Sequence, residues 1–144
     1  MPPILGDLLL REQSNVEDNI GTSDWLYAGG VAVKDVVYVS GADTVNKGDA
    51  NGDPNKPCIG IVTAIDYPIA GRCVVRTLGE VTGFVGLVPG TIYIVSTTPG
   101  VLVGGADGLN PAYPTSGDFK QTIGVAKTVT SLFAMVDPTP HLIA

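Results

Sequence analysis

Charged residues are scarce in this chain, and basic residues are scarcer than acidic ones. Only 15% of the 144 residues are charged, with 8 Lys and Arg against 14 Asp and Glu, giving a net charge of −6. The basic residues form no cluster, and nucleic-acid binding requires grouped Lys and Arg to neutralise phosphates. Acidic membrane surfaces attract the same kind of cluster. We therefore expect neither nucleic acid nor a membrane as a partner.

Long apolar runs and a charged leader are also missing. No stretch approaches the roughly 20 consecutive apolar residues of a membrane-spanning helix. The N-terminus, Met-Pro-Pro-Ile-Leu-Gly-Asp, has no positive region of the kind that opens a secretory signal. So little charge beside 44% hydrophobic residues is unusual for a small free monomer. This composition predicts that part of the surface is covered in an assembly.

The chain has few groups that could carry chemistry. Its single histidine, His141, stands in a proline-flanked tail with no fixed acid or nucleophile expected beside it. No GxSxG motif, phosphate-binding Gly-Lys-Ser loop or zinc ligand set occurs. We therefore expect no catalytic site, no cofactor and no metal. Cys58 and Cys73 are interpreted as reduced core residues, because free Cys behaves as a small buried hydrophobe, with a disulfide left open as the alternative.

One loop has side chains of the type that bind calcium. The stretch Asp49-Ala-Asn-Gly-Asp-Pro-Asn55 places oxygen-bearing side chains at alternate positions, which suits several ligands around one ion. However, Pro54 and Gly60 stand where the calcium loop of helix pairs needs a glycine and a bidentate glutamate. Ordinary Asx-turn chemistry in a surface loop is therefore the preferred interpretation.

What the chain has in abundance is β-branched residues and glycine, typical of strands separated by turns. The run Lys34-Asp-Val-Val-Tyr-Val-Ser40 returns as Gly90-Thr-Ile-Tyr-Ile-Val-Ser96. Each copy then leads to an Ile-Gly-aliphatic core, at 58–62 and 122–126, and to a closing strand-like run. The matching order predicts an internal duplication, with pseudo-repeats over 25–79 and 81–138. The expected fold is a small all-β domain over 25–140, resembling a β-barrel or β-sandwich.

Residues 1–24 precede both copies and differ from them. Leu5, Leu8 and Leu9 fall on one face of a predicted helix. A helix this short is marginal alone. We expect an extended or short-helical N-terminal arm, which either packs on its own domain or orders on a neighbouring subunit, with the neighbour favoured. Trp25 then opens the β domain as a core or rim aromatic.

Two stretches resemble small β domains encoded by tailed bacteriophages. One is Lys56-Pro-Cys-Ile-Gly-Ile-Val62, which follows the first strand and its polar loop. The other runs from Gly79 to Tyr93 and leads to Ser96-Thr-Thr-Pro-Gly100. Similar segments occur in head decoration (cement) proteins and in structural tail proteins. The resemblance covers residues 25–137 and rests on β patterning and turns.

Resemblance to the decoration proteins implies a structural role on the outer capsid surface of the virion. The chain would form a homotrimer there, bind the major capsid protein and stabilise contacts between its subunits. The candidate capsid contacts are then Leu5, Leu8, Leu9, Leu10 and Trp25.

The same resemblance leaves a tail fibre or spike module as the alternative. Such a module would contact a host receptor through the loop at 104–118, with Tyr113 and the adjacent Phe119. The short length of this chain, which is interpreted as complete from Met1, favours the capsid role over the tail.

Overall fold

The computed structural model describes residues 21–105 and 111–144, and this part of the chain is built from strands without a helix. The expectation of an all-β fold is confirmed. The predicted N-terminal arm lies almost wholly outside the described residues. Numbered in chain order, the strands are β1 (Thr22–Tyr27), β2 (Val36–Gly41), β3 (Thr44–Lys47), β4 (Cys58–Ile65), β5 (Arg72–Arg76), β6 (Leu78–Thr82), β7 (Ile92–Val95), β8 (Leu102–Gly104), β9 (Phe119–Lys120), β10 (Thr122–Ala126), β11 (Ser131–Met135) and β12 (His141–Leu142).

The strands form a closed barrel, an open sheet and a small strand pair. The barrel has the neighbour order β1-β3-β2-β4-β5, and β5 pairs with β1 to close it. The open sheet has five strands in the order β6-β11-β10-β7-β8, and β9 pairs with β12 separately. Followed from β1 through β5, the barrel order becomes β1-β5-β4-β2-β3, which corresponds to the second sheet strand for strand. Two copies of one unit would produce this arrangement; the pseudo-repeat boundaries stay a prediction.

A bulge followed by glycine occurs at the same place in both sheets. The pairing of β2 with β4 skips Ile59, and the pairing of β7 with β10 skips Ile123. Gly60 comes next in one sheet and Gly124 in the other, each packed against a backbone carbonyl of the neighbouring strand. A Cβ at either position would collide with that carbonyl, so both sheets need glycine here.

The strands are shorter and more numerous than the sequence pattern predicts. The predicted boundary of the arm at residue 24 lies inside β1. Strand β3 lies within 41–57, a region whose glycines and prolines predict a loop. Strand β3 pairs with β2 on one side and with β1 on the other, and its Val45 is fully buried. Its stability therefore comes from tertiary pairing, which local composition does not report.

Two hydrophobic clusters hold the molecule together, and strands β2 and β4 contribute to both. Val37 and Val62 belong to the cluster of the barrel, whereas Val36 and Ile61 belong to the cluster that includes the second sheet. The barrel cluster is completed by Val31, Val45, Cys73 and Val75. The second cluster is completed by Ala50, Cys58, Val81, Leu87, Tyr93, Val95, Ile123, Ala126, Leu132 and Ala134. The second sheet thus packs its inner face against the outside of the barrel.

A buried glutamine joins the barrel to the second sheet. Gln121, which is 4% exposed, accepts a hydrogen bond from the Cys58 backbone N–H at 2.9 Å. Its Nε2 donates to the carbonyl oxygens of Cys58 at 2.7 Å and Asp137 at 2.8 Å. The side-chain amide therefore satisfies both backbone groups of Cys58, as a neighbouring strand would.

Replacing Gln121 with leucine should destabilise the protein by about 3 kcal/mol, because each buried polar group left unpaired costs roughly 1–3 kcal/mol. Urea denaturation followed by circular dichroism measures this free energy of unfolding. The matched control is Asn55→Leu, which removes an amide from an exposed loop and should change stability by less than about 0.5 kcal/mol. A loss no larger in Gln121→Leu than in the control would contradict the proposed link.

Candidate docking groove

The described residues do not bring together a catalytic or metal-binding set. Within 21–105 and 111–144, no three His, Cys, Asp or Glu side chains are grouped to hold a metal ion. In the loop at 49–55, Asp53 Oδ1 accepts from the Asn55 N–H at 2.9 Å, which is Asx-turn geometry. His141 is exposed on β12, with its Nε2 3.8 Å from Asp137 Oδ2.

A cavity of about 180 Å³ lies beside that loop, at the junction of the barrel, the second sheet and the C-terminal tail. Its lining includes Tyr38, Asp49, Cys58 and Phe119. Asp49 Oδ1 is buried and has no hydrogen-bond partner in the described part of the chain. Burial raises the pKa of the Cys58 thiol to about 12, with the Asp49 charge adding to the shift. Cys58 is therefore a neutral thiol at physiological pH, unlike the thiolate of a nucleophilic cysteine.

This raised pKa makes stability depend on alkaline pH. The unfolded thiol ionises near 9.0 while the folded thiol keeps its proton to about 12, so stability present below pH 9 is lost as pH rises between these values. From pH 8 to pH 10 the wild type should lose about 1.4 kcal/mol more than Cys58→Ala. Urea denaturation of both proteins at the two pH values tests this. Cys73, which is also free and buried, is present in both proteins and cancels. If the free energy of unfolding changes equally with pH in the two proteins, the Cys58 thiol ionises alike in the folded and unfolded states, and the prediction is contradicted.

A larger groove of about 730 Å³ opens on the second sheet. One wall is the connection at 84–88 between β6 and β7, and the other is the stretch 100–105, which contains β8. Tyr93 lines it, and residues 33–35 of the barrel half close one end. Its rim exposes three valines: Val85 is 89% exposed, Val88 59% and Val101 45%.

The wall at 84–88 is fixed by backbone hydrogen bonds. The Phe84 N–H donates to the Thr130 carbonyl at 3.0 Å, and the Leu87 N–H donates to the Val129 carbonyl at 2.9 Å. The Val88 N–H donates to Tyr93 Oη at 3.0 Å, which ties the wall to the residue that lines the groove. The groove is therefore formed before any partner arrives, which lowers the entropic cost of binding.

The charged groups at the closed end are engaged within the protein. Lys34 Nζ donates to the Gly83 carbonyl at 2.8 Å. Asp35 accepts from the Ala32 N–H at 2.8 Å, and its carboxylate lies 3.8 Å from Lys47 Nζ. Asp35 therefore has a cation beside it, whereas the partner of Lys34 is a neutral carbonyl.

Strand β8 borders the groove as an edge strand. In the described chain it pairs only with β7, whereas β3, its counterpart in the barrel, also pairs with β1 through Leu26 opposite Thr44 and Tyr27 opposite Val45. An edge strand offers backbone groups to an added extended segment, and neighbouring apolar pockets hold its side chains. The groove can thus dock a partner by strand addition; nothing in its lining supplies a reactive group.

Only one of the sequence-predicted contact residues, Trp25, belongs to the described part of the chain. Leu5, Leu8, Leu9 and Leu10 fall outside the described residues. Trp25 is half-buried in β1 and packs against the barrel cluster, with its Nε1 donating to Ser23 Oγ at 2.7 Å.

The loop that the tail alternative needs is described only in part, because 106–110 lie outside the described residues. Tyr113 and Phe119 are both half-buried. The Phe119 N–H donates to the Ala50 carbonyl at 2.8 Å, which fixes the backbone at this ring.

Sequence reasoning missed the groove, although a signal for it was present. Gly83, Gly86 and Gly90 recur among valines and leucines, a spacing that predicts bends in a curved sheet. All three have positive φ, so the bends are real. Which of the intervening valines are left exposed depends on the path of 84–88 along the turn at 128–130.

In comparison with known proteins, no protein-family model, no curated protein and no solved structure matches the chain.

Proposed function

We propose that this protein is a head decoration protein of a tailed bacteriophage. It binds the outer surface of the capsid as a homotrimer and stabilises contacts between major capsid protein subunits, without catalysing a reaction. The observation that carries the proposal is the groove with exposed valines on its rim, beside the edge strand β8. Together with the low charge of the chain, it provides a surface that is unfavourable in water and favourable against a protein shell.

Binding energy would come from burial of the groove rim. Covering one exposed valine contributes about 1.5 kcal/mol or more, and several lie side by side on this rim. Backbone pairing along β8 would fix the direction and register of the bound segment. Because each subunit on a shell can contact more than one capsid protein, such contacts add across subunit boundaries and favour the closed shell.

One structural observation supports the capsid role over the tail alternative. The tail alternative relies on Tyr113 in the loop at 104–118 and on the adjacent Phe119, and both rings are half-buried. Exposed valines lie on the groove rim, beside an edge strand that can pair with an extended segment of another protein.

The first test is the number of copies in purified virions, measured by quantitative mass spectrometry against the major shell protein. A decoration protein should approach the abundance of the shell protein. A few copies per particle would move the chain to the tail, and its absence from particles would overturn a virion role.

The second test places a charge on the groove rim. Val85→Glu should weaken attachment to capsids lacking this protein roughly tenfold, because burying this valine is worth at least about 1.4 kcal/mol. Its stability in solution should be unchanged, since Val85 is 89% exposed. The matched control is Ile69→Glu, 63% exposed in the turn between β4 and β5, which should attach normally. Equal attachment of the two variants would remove the groove from the proposal.

A further inference from the structure

The outer face of the second sheet exposes apolar side chains around one charged residue, Glu80, which lies opposite Phe133 and accepts a hydrogen bond from Lys127 Nζ at 2.8 Å. Cross-strand pairing places Phe133 beside Val125 and Val125 beside Ile92, and it places Met135 beside Leu78 on the same face. Leu78 is 47% exposed, Ile92 54%, Phe133 40% and Met135 45%, while Val125 is half-buried. These five residues are called the outer sheet face. It lies on the side of the sheet opposite the core residues Leu132 and Ala134.

The corresponding strands of the barrel carry a larger group of ion pairs. On β5, Arg72 binds Asp24 of β1 at 2.7 Å and Asp43 at 3.0 Å. Such a face is stable in water, whereas an apolar sheet face requires a second layer. Within the described residues, no strand or helix covers the outer sheet face.

The twenty residues that precede the described part join it at the edge of this face. The Gly21 carbonyl accepts a hydrogen bond from the Thr77 N–H at 2.7 Å, next to the first residue of β6. Gly21 packs closely on that residue: a Cβ added to Gly21 would lie 3.0 Å from Leu78 Cβ. Residues 1–20 therefore begin their path beside the outer sheet face.

The composition and length of this segment fit the face. Leu5, Leu8 and Leu9 have the spacing of one helical stripe, and Ile4 and Leu10 flank them. As a helix, the seven residues 4–10 extend about 10 Å, which is about two of the three strand spacings from β6 to β7. Residues 11–20 can span up to about 35 Å between the stripe and Gly21.

We propose that residues 4–10 dock on the outer sheet face of the same molecule. Their leucines bury Phe133 and Met135 and supply the missing layer. Attachment at Gly21 gives the segment an effective concentration of about millimolar or more at its own sheet, which favours docking within one molecule over exchange between molecules. The proposal concerns the free protein and is independent of the capsid role. Since the same leucines are candidate capsid contacts, the sheet would compete with the shell for them.

The test uses a methionine inside the face. The chain has 2 methionines, Met1 and Met135, so methyl-labelled methionine makes Met135 an isolated NMR reporter. In the full chain, the Met135 methyl should show NOEs to leucine methyl groups of the segment. Those NOEs should disappear, and the Met135 resonance should shift, both in a variant lacking residues 2–20 and in the triple variant Leu5→Ser, Leu8→Ser, Leu9→Ser.

The control variant is Leu142→Ser, which changes an exposed leucine on β12 and should leave the Met135 resonance in place. A mixed sample separates docking within one molecule from exchange: one population carries labelled methionine and the other labelled leucine. NOEs that occur in protein carrying both labels in one molecule, but not in the mixture, support the proposal. NOEs in the mixture would overturn it in favour of exchange between copies, and a Met135 resonance identical in all variants would overturn docking altogether.

Discussion

Burial of strands β2 and β4 on both faces is the constraint on which the rest of the structure depends. Successive residues of a strand point to opposite sides. Val36 and Val37 therefore enter different clusters, as do Ile61 and Val62. One side of the pair β2 and β4 therefore faces the barrel cluster, and the other side faces the second cluster. Gln121 supplies the polar part of this junction by pairing with the Cys58 backbone, where a continuous sheet would have placed another strand.

The open groove follows from that shared wall. The barrel closes around its own small cluster, through pairing of β1 with β3. The second sheet packs its inner face on the outside of the barrel, and its core positions are filled without closure. Its edge strand β8 and the connection at 84–88 are then left facing each other across a groove. Two units with one strand order have reached different outcomes, because the barrel closes around its own cluster whereas the second sheet fills its core against the outside of the barrel.

Exposed apolar residues are prominent on the second sheet, although ion pairs occur in both halves. Arg72 pairs with Asp24 and Asp43 on the barrel, and Lys127 pairs with Glu80 on the second sheet. The second sheet also exposes valines on the groove rim and Phe133 and Met135 on its outer face. These exposed apolar residues are the ones on which both proposed docking surfaces depend.

The sequence by itself determined the all-β class and the strands whose alternation is local, because both depend on period-two patterning among neighbouring residues. The Ile-Gly bulges at 59–60 and 123–124 depend on tertiary structure, because a Cβ at each glycine is excluded by a backbone carbonyl of the adjacent strand. The sequence did not determine β3, which forms from four residues in a glycine-rich loop because two strands pair with it. Only the tertiary structure decided closure of one unit and opening of the other, and with it which valines are exposed. Those outcomes depend on contacts between residues distant in the chain, and local composition carries no record of them.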